Sequence, residues 1–378
     1  MTPPGEPGDA PTAQLAARLR DHTLALVEVP STSGDEAAIL AALASQVPEG
    51  FTIADDRDGA LLLLPSARRE DALLVLLSGH VDTVPPPPGH RPTVDAGTVH
   101  GRGAADMKGG LAVAWALAGA LGSGDITSDL DVGVLVVARE ELPVAESALV
   151  PLLARSDAAR VADLAIVLEP TANELQVGCM GNLNATVTAS GTAAHSARPW
   201  HGRNAIHVLI EALGSVADLP VRDVEVEGLV FREVVSITRI AGGGPRNVVP
   251  DSAEADVNFR YAPSHTSQEA QARLAELLGH RHVDVAIVSD APPGPVATRS
   301  PLVRRLRQTG SLTPRPKQAW TSVAEFAMAG VDAVNLGPGD PRYAHADDEH
   351  VEVSALVACH ELLRAFLEGR TPTEEPTP

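Results

Sequence analysis

Five positions, far apart in the chain, have the residue types needed to hold divalent metal ions. The stretch LLSGHVDTVPP, residues 76–86, is an apolar run that ends in His80 and Asp82 before a proline-rich break. A second apolar run ends in AREEL, with Glu140 and Glu141, and a third ends in LEPT, with Glu169. A late run, VDAVNLGPGD, leads into PRYAHADDEH and His345. Asp106, in GRGAADMKGG, stands at the start of a helical segment between the first two runs. Two imidazoles (His80, His345) and three carboxylates (Asp106, Glu141, Glu169) suit two ions of the zinc type. One carboxylate bridging ions about 3.5–4 Å apart gives the two-metal arrangement of many hydrolases, in which a shared water of lowered pKa is the nucleophile. Glu140, beside a ligand but not needed as one, is placed to take that water's proton. Asp82 can accept the other ring N–H of His80 and fix its tautomer.

Each residue also has a plainer reading. A lone histidine at a strand end is usually a satisfied polar residue, a Glu-Glu pair after a strand is usually a solvated turn, and an Asp before a helix is usually its cap. The coincidence of five such residues at strand ends is what sets a metal site beside these readings.

The elements that must position them are those of an α/β fold. PTAQLAARLRDHTLALVEV has helical apolar spacing, and STSGDEAAILAALASQV reads as a second helix entered through Ser33 and Asp35. ALLVLLS (72–78), DVGVLVVA (131–138) and ADLAIVLE (162–169) are nearly continuous apolar runs, as expected of strands buried on both faces of a mostly parallel sheet. MKGGLAVAWALAGALG supplies a helix between the first two. Ligand sites in such sheets form at the carboxyl ends of the strands, so the five positions would converge.

From about Gly181 the pattern changes to strand, helix, two strands, helix, strand: NATVTASG, GRNAIHVLIEALGSV, VVSITRIAGG, AEADVNFRYAP, SQEAQARLAELLG and HVDVAIVS. That is the ferredoxin-like order. The α/β character returns with VDAVNLGP and a final amphipathic helix, SALVACHELLRAFLEG. The division expected is one discontinuous catalytic domain, 13–179 and 292–370, interrupted by an α+β domain at 180–291. The ends, 1–12 and 371–378, are expected to be disordered, being rich in Pro and polar residues.

Composition narrows the class. A chain of 378 residues is long enough for about two domains. Its net charge of −20 argues against a nucleic-acid or anionic-membrane surface. Two distant cysteines, Cys179 and Cys359, offer no disulfide framework, and the first residues carry neither a basic nor an apolar signal region. Both features fit a cytoplasmic protein.

SGHVDTVPP, GRGAADMKGG, EEL, LEPT and HADDEH together resemble, in order, the five motifs of the di-zinc aminoacylase, carboxypeptidase G and succinyl-diaminopimelate desuccinylase family. GTAAHSARPWHGRNAI and GGGPRNVVPDSAEADVNFRY resemble its lid domain. The likeness spans roughly residues 13 to 368, and its overall look is nearest to the actinobacterial desuccinylases. It implies a zinc peptidase-like α/β domain with a ferredoxin-like lid through which a homodimer forms. It implies zinc-dependent hydrolysis of the amide bond of a small N-acyl amino acid with a free carboxylate, with two Zn2+ for which Co2+ or Mn2+ can substitute. By residue, it implies His80 and Glu169 on one ion, Glu141 and His345 on the other, and Asp106 bridging. Glu140 would be general base and then acid, Asp82 the partner of His80, and His195 the oxyanion donor. Asn247, Arg260, Thr321, Ser322 and Gly337 would line the substrate site. Against the desuccinylase pattern, Ser322 stands in place of an Asp, Glu325 in place of an Arg, and Asn184 in place of a basic residue. These departures carry the alternatives: a paralogous deacylase or dipeptidase of specialised metabolism, an amide-forming enzyme, or a non-catalytic relative used for binding.

Overall fold

The structure, a computed structural model, describes residues 9–370 except 96 and 280. The chain forms two compact units. The first comprises the residues up to Val177, Ala297–Arg315 and those from Glu325 onward; the second comprises Gly178–Val296 and Pro316–Ala324. The unit boundaries thus fall a few residues from the expected domain limits, and the segment bearing Thr321 and Ser322 groups with the second unit. Residues 9–12, expected in a disordered tail, are the first turn of the helix Asp9–Glu28; residues 1–8 and 371–378 lie outside the described residues.

In the first unit four parallel strands form the centre of the sheet, in the order Asp131–Val137, Leu74–His80, Leu164–Val167, Ala333–Asn335. All four are buried along their whole length, which explains their unbroken apolar sequence: both faces are covered. Antiparallel strands flank them, Phe51–Asp55 and Ala60–Pro65 on one side and Gln176–Val177 on the other. The Phe51–Pro65 hairpin is not resolved in the sequence reading, because ALLLLP lacks the alternation that marks a hairpin strand. Helix Gly109–Ser123 packs on the strands Leu74–His80 and Asp131–Val137, and on the helices Asp9–Glu28 and Val353–Leu367. A small sheet of Thr93–Asp95, Thr98–His100 and His350–Glu352 ties the late chain to the segment before Asp106.

One local expectation fails. The second helix spans Ala37–Ala44 and is not entered through Ser33 or Asp35. The Ser33 hydroxyl instead donates to Asp82 Oδ2 at 2.8 Å, and Glu36 accepts the Gly34 N–H.

The second unit contains an antiparallel sheet ordered Arg222–Val226, Leu229–Gly242, Ser252–Tyr261, Gly181–Ser190, Val283–Ala291. Without its edge strand Arg222–Val226 this is the expected ferredoxin-like sheet. Gly181–Ser190 alternates buried and less buried positions, and Leu183, Ala185, Val187 and Ala189 pack against the helices Ala205–Ala217 and Ser267–Leu278. Asn204 caps the first of these helices and a Thr266–Glu269 capping box starts the second.

Candidate metal centre

Each of the four parallel strands delivers a polar group at its carboxyl end. His80 is the last residue of its strand, and Glu169 follows its strand by two residues. Glu140 and Glu141 follow Val137 in a turn where Arg139 adopts φ 62°. This left-handed backbone is strained for a non-glycine residue. It is held by the Arg139 guanidinium, which donates to the carbonyls of Asp58 and Glu146 at 2.7 and 2.8 Å. His345, also left-handed at φ 63°, lies in the loop after Asn335. Asp106 lies in the short turn Ala104–Lys108, whose Asp106–Met107 peptide is cis.

These side chains meet. Asp106 divides its oxygens: Oδ1 is 3.1 Å from His80 Nε2, and Oδ2 is 3.5 Å from His345 Nε2. His80 Nε2 is also 3.8 Å from Glu169, and His345 Nε2 is 2.8 Å from Glu141. Ligand atoms of His80, Glu140 and Glu169 lie within 4.8 Å of one another, as do those of His80, Asp106 and Glu141. The two groups share His80, and the divided Asp106 carboxylate links His80 to His345.

The electrostatics are those of a cation site. Burial alone would lower the pKa of His80, but the carboxylates of Asp106 and Asp82 override it and hold the ring well above its usual range. The carboxylates of Asp106 and Glu141 raise His345 to about 10. Burial, reinforced by the charge of Glu169, pushes Glu140 well above the ordinary glutamate range. Crowding this many carboxylates in a buried space is costly unless cations compensate them. The set of two imidazoles with oxygen donors fits a borderline divalent ion.

Asp82 is placed differently from the expectation. His80 Nδ1 is 2.9 Å from the backbone carbonyl of Asp82, whereas the Asp82 carboxylate is 3.6 Å away, beyond hydrogen-bond length. The ring is oriented by the carbonyl. The carboxylate accepts the backbone N–H groups of Glu140 and Glu141 at 3.0 and 3.1 Å, and the Ser33 hydroxyl. The local pattern around Ser33 is that of a helix entry, and nothing in it points to Asp82.

Gly337 abuts the same strand end. A Cβ there would collide with the carbonyl oxygens of Leu168 and Glu169, and its N–H donates to the Thr171 hydroxyl at 3.0 Å. Glycine is thus required by the close backbone approach beside Glu169. Glu325 is 1% exposed, and neither of its oxygens finds a hydrogen bond among the described residues. Burial lifts its pKa to about 7, and the Ser147 hydroxyl nearby offsets this only in part.

The other expected site residues lie in the second unit. Asn247 and the exposed His195 are brought together where Ala194–His195 pairs with Val248–Val249. The backbone N–H of Ala197 donates to His195 Nδ1 at 3.0 Å, which leaves the neutral ring with its proton on Nε2. Arg260 forms no ion pair among the described residues. Its Nε donates to Asn258 Oδ1 at 3.0 Å, and Asn258 in turn donates to Asn182 and Asn184. Asn184 thus belongs to a neutral amide ladder beside the guanidinium. Thr321 and Ser322 are buried, and the carbonyl of Thr321 lies 3.7 Å from the Cys179 thiol.

The profile of peptidase family M20/M25/M40 matches residues 76–369. A Mycobacterium tuberculosis protein named as a candidate succinyl-diaminopimelate desuccinylase is 37% identical over 351 residues, covering 92% of this chain and 97% of its own. The succinyl-diaminopimelate desuccinylase of Corynebacterium glutamicum is 33% identical over 356 residues, covering 91% and 95%. Among solved structures, the aminopeptidase PepT of Bacillus cereus superposes with a TM-score of 0.74 at 21% identity, covering 94% of this chain and 98% of that one.

Proposed function

The chain belongs to peptidase family M20/M25/M40, and on that footing we propose that it hydrolyses the amide bond of an N-acyl amino acid bearing a free carboxylate, in the manner of a succinyl-diaminopimelate desuccinylase. The observation that carries this reading is the division of the Asp106 oxygens between His80 and His345. His80 and Glu169 would hold one ion, Glu141 and His345 the other, and Asp106 would serve both. Zinc suits this donor set, with Co2+ or Mn2+ able to substitute. When bound, the ions supply a polarised scissile carbonyl and a water of lowered pKa.

The chain's own groups do the rest. Glu140 takes the proton of the attacking water and returns it to the leaving amine; its raised proton affinity suits both tasks. His195, with its proton on Nε2, donates to the oxyanion of the tetrahedral intermediate. Arg260, whose guanidinium bonds a neutral amide and no acid among the described residues, receives the substrate carboxylate, aided by Asn247, Thr321, Ser322 and Gly337. Likeness to desuccinylases over nearly the full length is what favours this reading over the deacylase, dipeptidase, amide-forming and binding alternatives.

We place the enzyme in the cytoplasm, as a homodimer associating through the second unit, with neither nucleic acid nor membrane as a partner. The net charge of −20 speaks against a nucleic-acid or anionic-membrane partner, and no helix among the described residues is long and apolar enough to cross a membrane.

The test is a panel of carboxylate-bearing amides, with N-succinyl-diaminopimelate first, then N-acetyl amino acids and dipeptides, assayed with added Zn2+ or Co2+. Release of free amine with the succinyl substrate preferred supports the reading. Metal-loaded protein that cleaves none of them overturns it.

A further inference from the structure

Glu349 is 1% exposed and lies at the start of the late strand His350–Glu352. Its Oε1 accepts three backbone N–H groups: Gly103 at 3.0 Å, Ala105 at 3.2 Å and Asp106 at 3.1 Å. Its Oε2 accepts from the buried Arg102 guanidinium at 2.8 Å. Its backbone carbonyl accepts the Gly101 N–H at 2.9 Å. The Ala104–Lys108 turn has no side-chain cap of its own, and Asp106 departs from helical geometry at φ −122°, ψ 90°. The conformation that aims the Asp106 oxygens at two imidazoles is therefore imposed from outside the turn.

We propose that Glu349 is a positioning residue for the shared carboxylate, fixing Asp106 through its N–H so that both oxygens stay available to two ions. The inference rests on the metal-site reading above. A charged oxygen is needed: three N–H donors converge on one atom, and charge-assisted bonds are about twice as strong as neutral ones. A glutamine there would keep one acceptor but would turn its amide hydrogens towards Arg102, or towards the three N–H groups.

The test is calorimetric titration of the full chain, stripped of metal by a chelator, with Zn2+, alongside thermal unfolding. Wild type is expected to take up two ions. Glu349→Gln is expected to fold, to bind the first ion, and to lose about 10–100-fold in affinity for the second, the usual effect of removing such outer support. Its KM should be unchanged and its kcat reduced. A folded Glu349→Gln that binds both ions as tightly as wild type overturns the inference while leaving the metal site standing. Wild type that takes up no ion overturns the metal-site reading and this inference with it. If Glu349→Gln does not fold, Arg102→Gln decides: it keeps the three N–H bonds, so it must retain both ions, and loss of one overturns the inference.

Discussion

Asp82 Oδ1 accepts the backbone N–H of Glu140 at 3.0 Å, so a residue just past the end of one strand sets the position of a residue just past the end of its neighbour. The other oxygen holds Glu141 and Ser33. An asparagine can satisfy only one of the two N–H groups and must turn its own N–H towards the other. Asp82→Asn should therefore lower metal affinity about 10–100-fold and cost about 1–3 kcal/mol of stability. Metal titration and denaturant unfolding read the two effects; wild-type behaviour in both would show that the contacts carry no weight.

In the proposed mechanism Glu140 is the acid–base group and stands outside the ligand set, although it lies within reach of His80 and Glu169. Glu140→Gln should bind the same number of ions as wild type while kcat falls by at least about 10²–10⁴-fold. Metal analysis and steady-state kinetics on one preparation suffice, and normal turnover would remove Glu140 from the mechanism.

His195 presents Nε2–H because its Nδ1 is already occupied by the Ala197 N–H. Loss of a single oxyanion donor lowers kcat by about 10²–10³-fold. His195→Ala should show that loss with ion content unchanged. Equal kcat in the variant would leave the ring without a role in the reaction.

Glu325 supplies a pH signature of stability. Its carboxyl has a folded-state pKa raised from 4.5 to about 7 by burial. The folded chain holds this proton more tightly than the unfolded one, so stability is full below about pH 4.5 and falls as pH rises to about 7. The loss above pH 7 is at most about 3 kcal/mol. Glu325→Gln, which cannot ionise, should be more stable than wild type at pH 8 by up to that amount and no more stable at pH 4.5. Urea unfolding at the two pH values measures it; an equal difference at both would mean the carboxyl does not titrate in this range.

The parallel strands were legible because burial on both faces leaves an unbroken apolar signal; His80, Glu141 and Glu169 became candidates because they stand at or just past the ends of those signals, and His345 because it lies in the loop after the last of them. The antiparallel hairpin of Phe51–Pro65 was not, since its inner strand is as uniformly apolar as its neighbours. The work of Asp82, Ser33 and Glu349 was also hidden. Asp82 and Glu349 bind backbone N–H groups, Glu349 also the Arg102 guanidinium, and Ser33 binds the Asp82 carboxylate, all tens to hundreds of residues away, and no local spacing encodes such a bond. Glu349 stands in HADDEH, four residues after His345, and nothing in that spacing marks it as the partner of the Asp106 turn.

The separation of these parts along the chain has a consequence for synthesis. Glu141 meets His345 across 204 residues, and Asp106 meets Glu349 across 243. A growing chain therefore exposes His80, Asp106, Glu141 and Glu169 long before the residues that complete and brace the cluster leave the ribosome. Closing such long loops is an entropic cost that only the finished sheet offsets. A nascent chain stopped before residue 340 should fold much of its early sheet yet hold at most one ion, so full metallation is an event of the completed polypeptide.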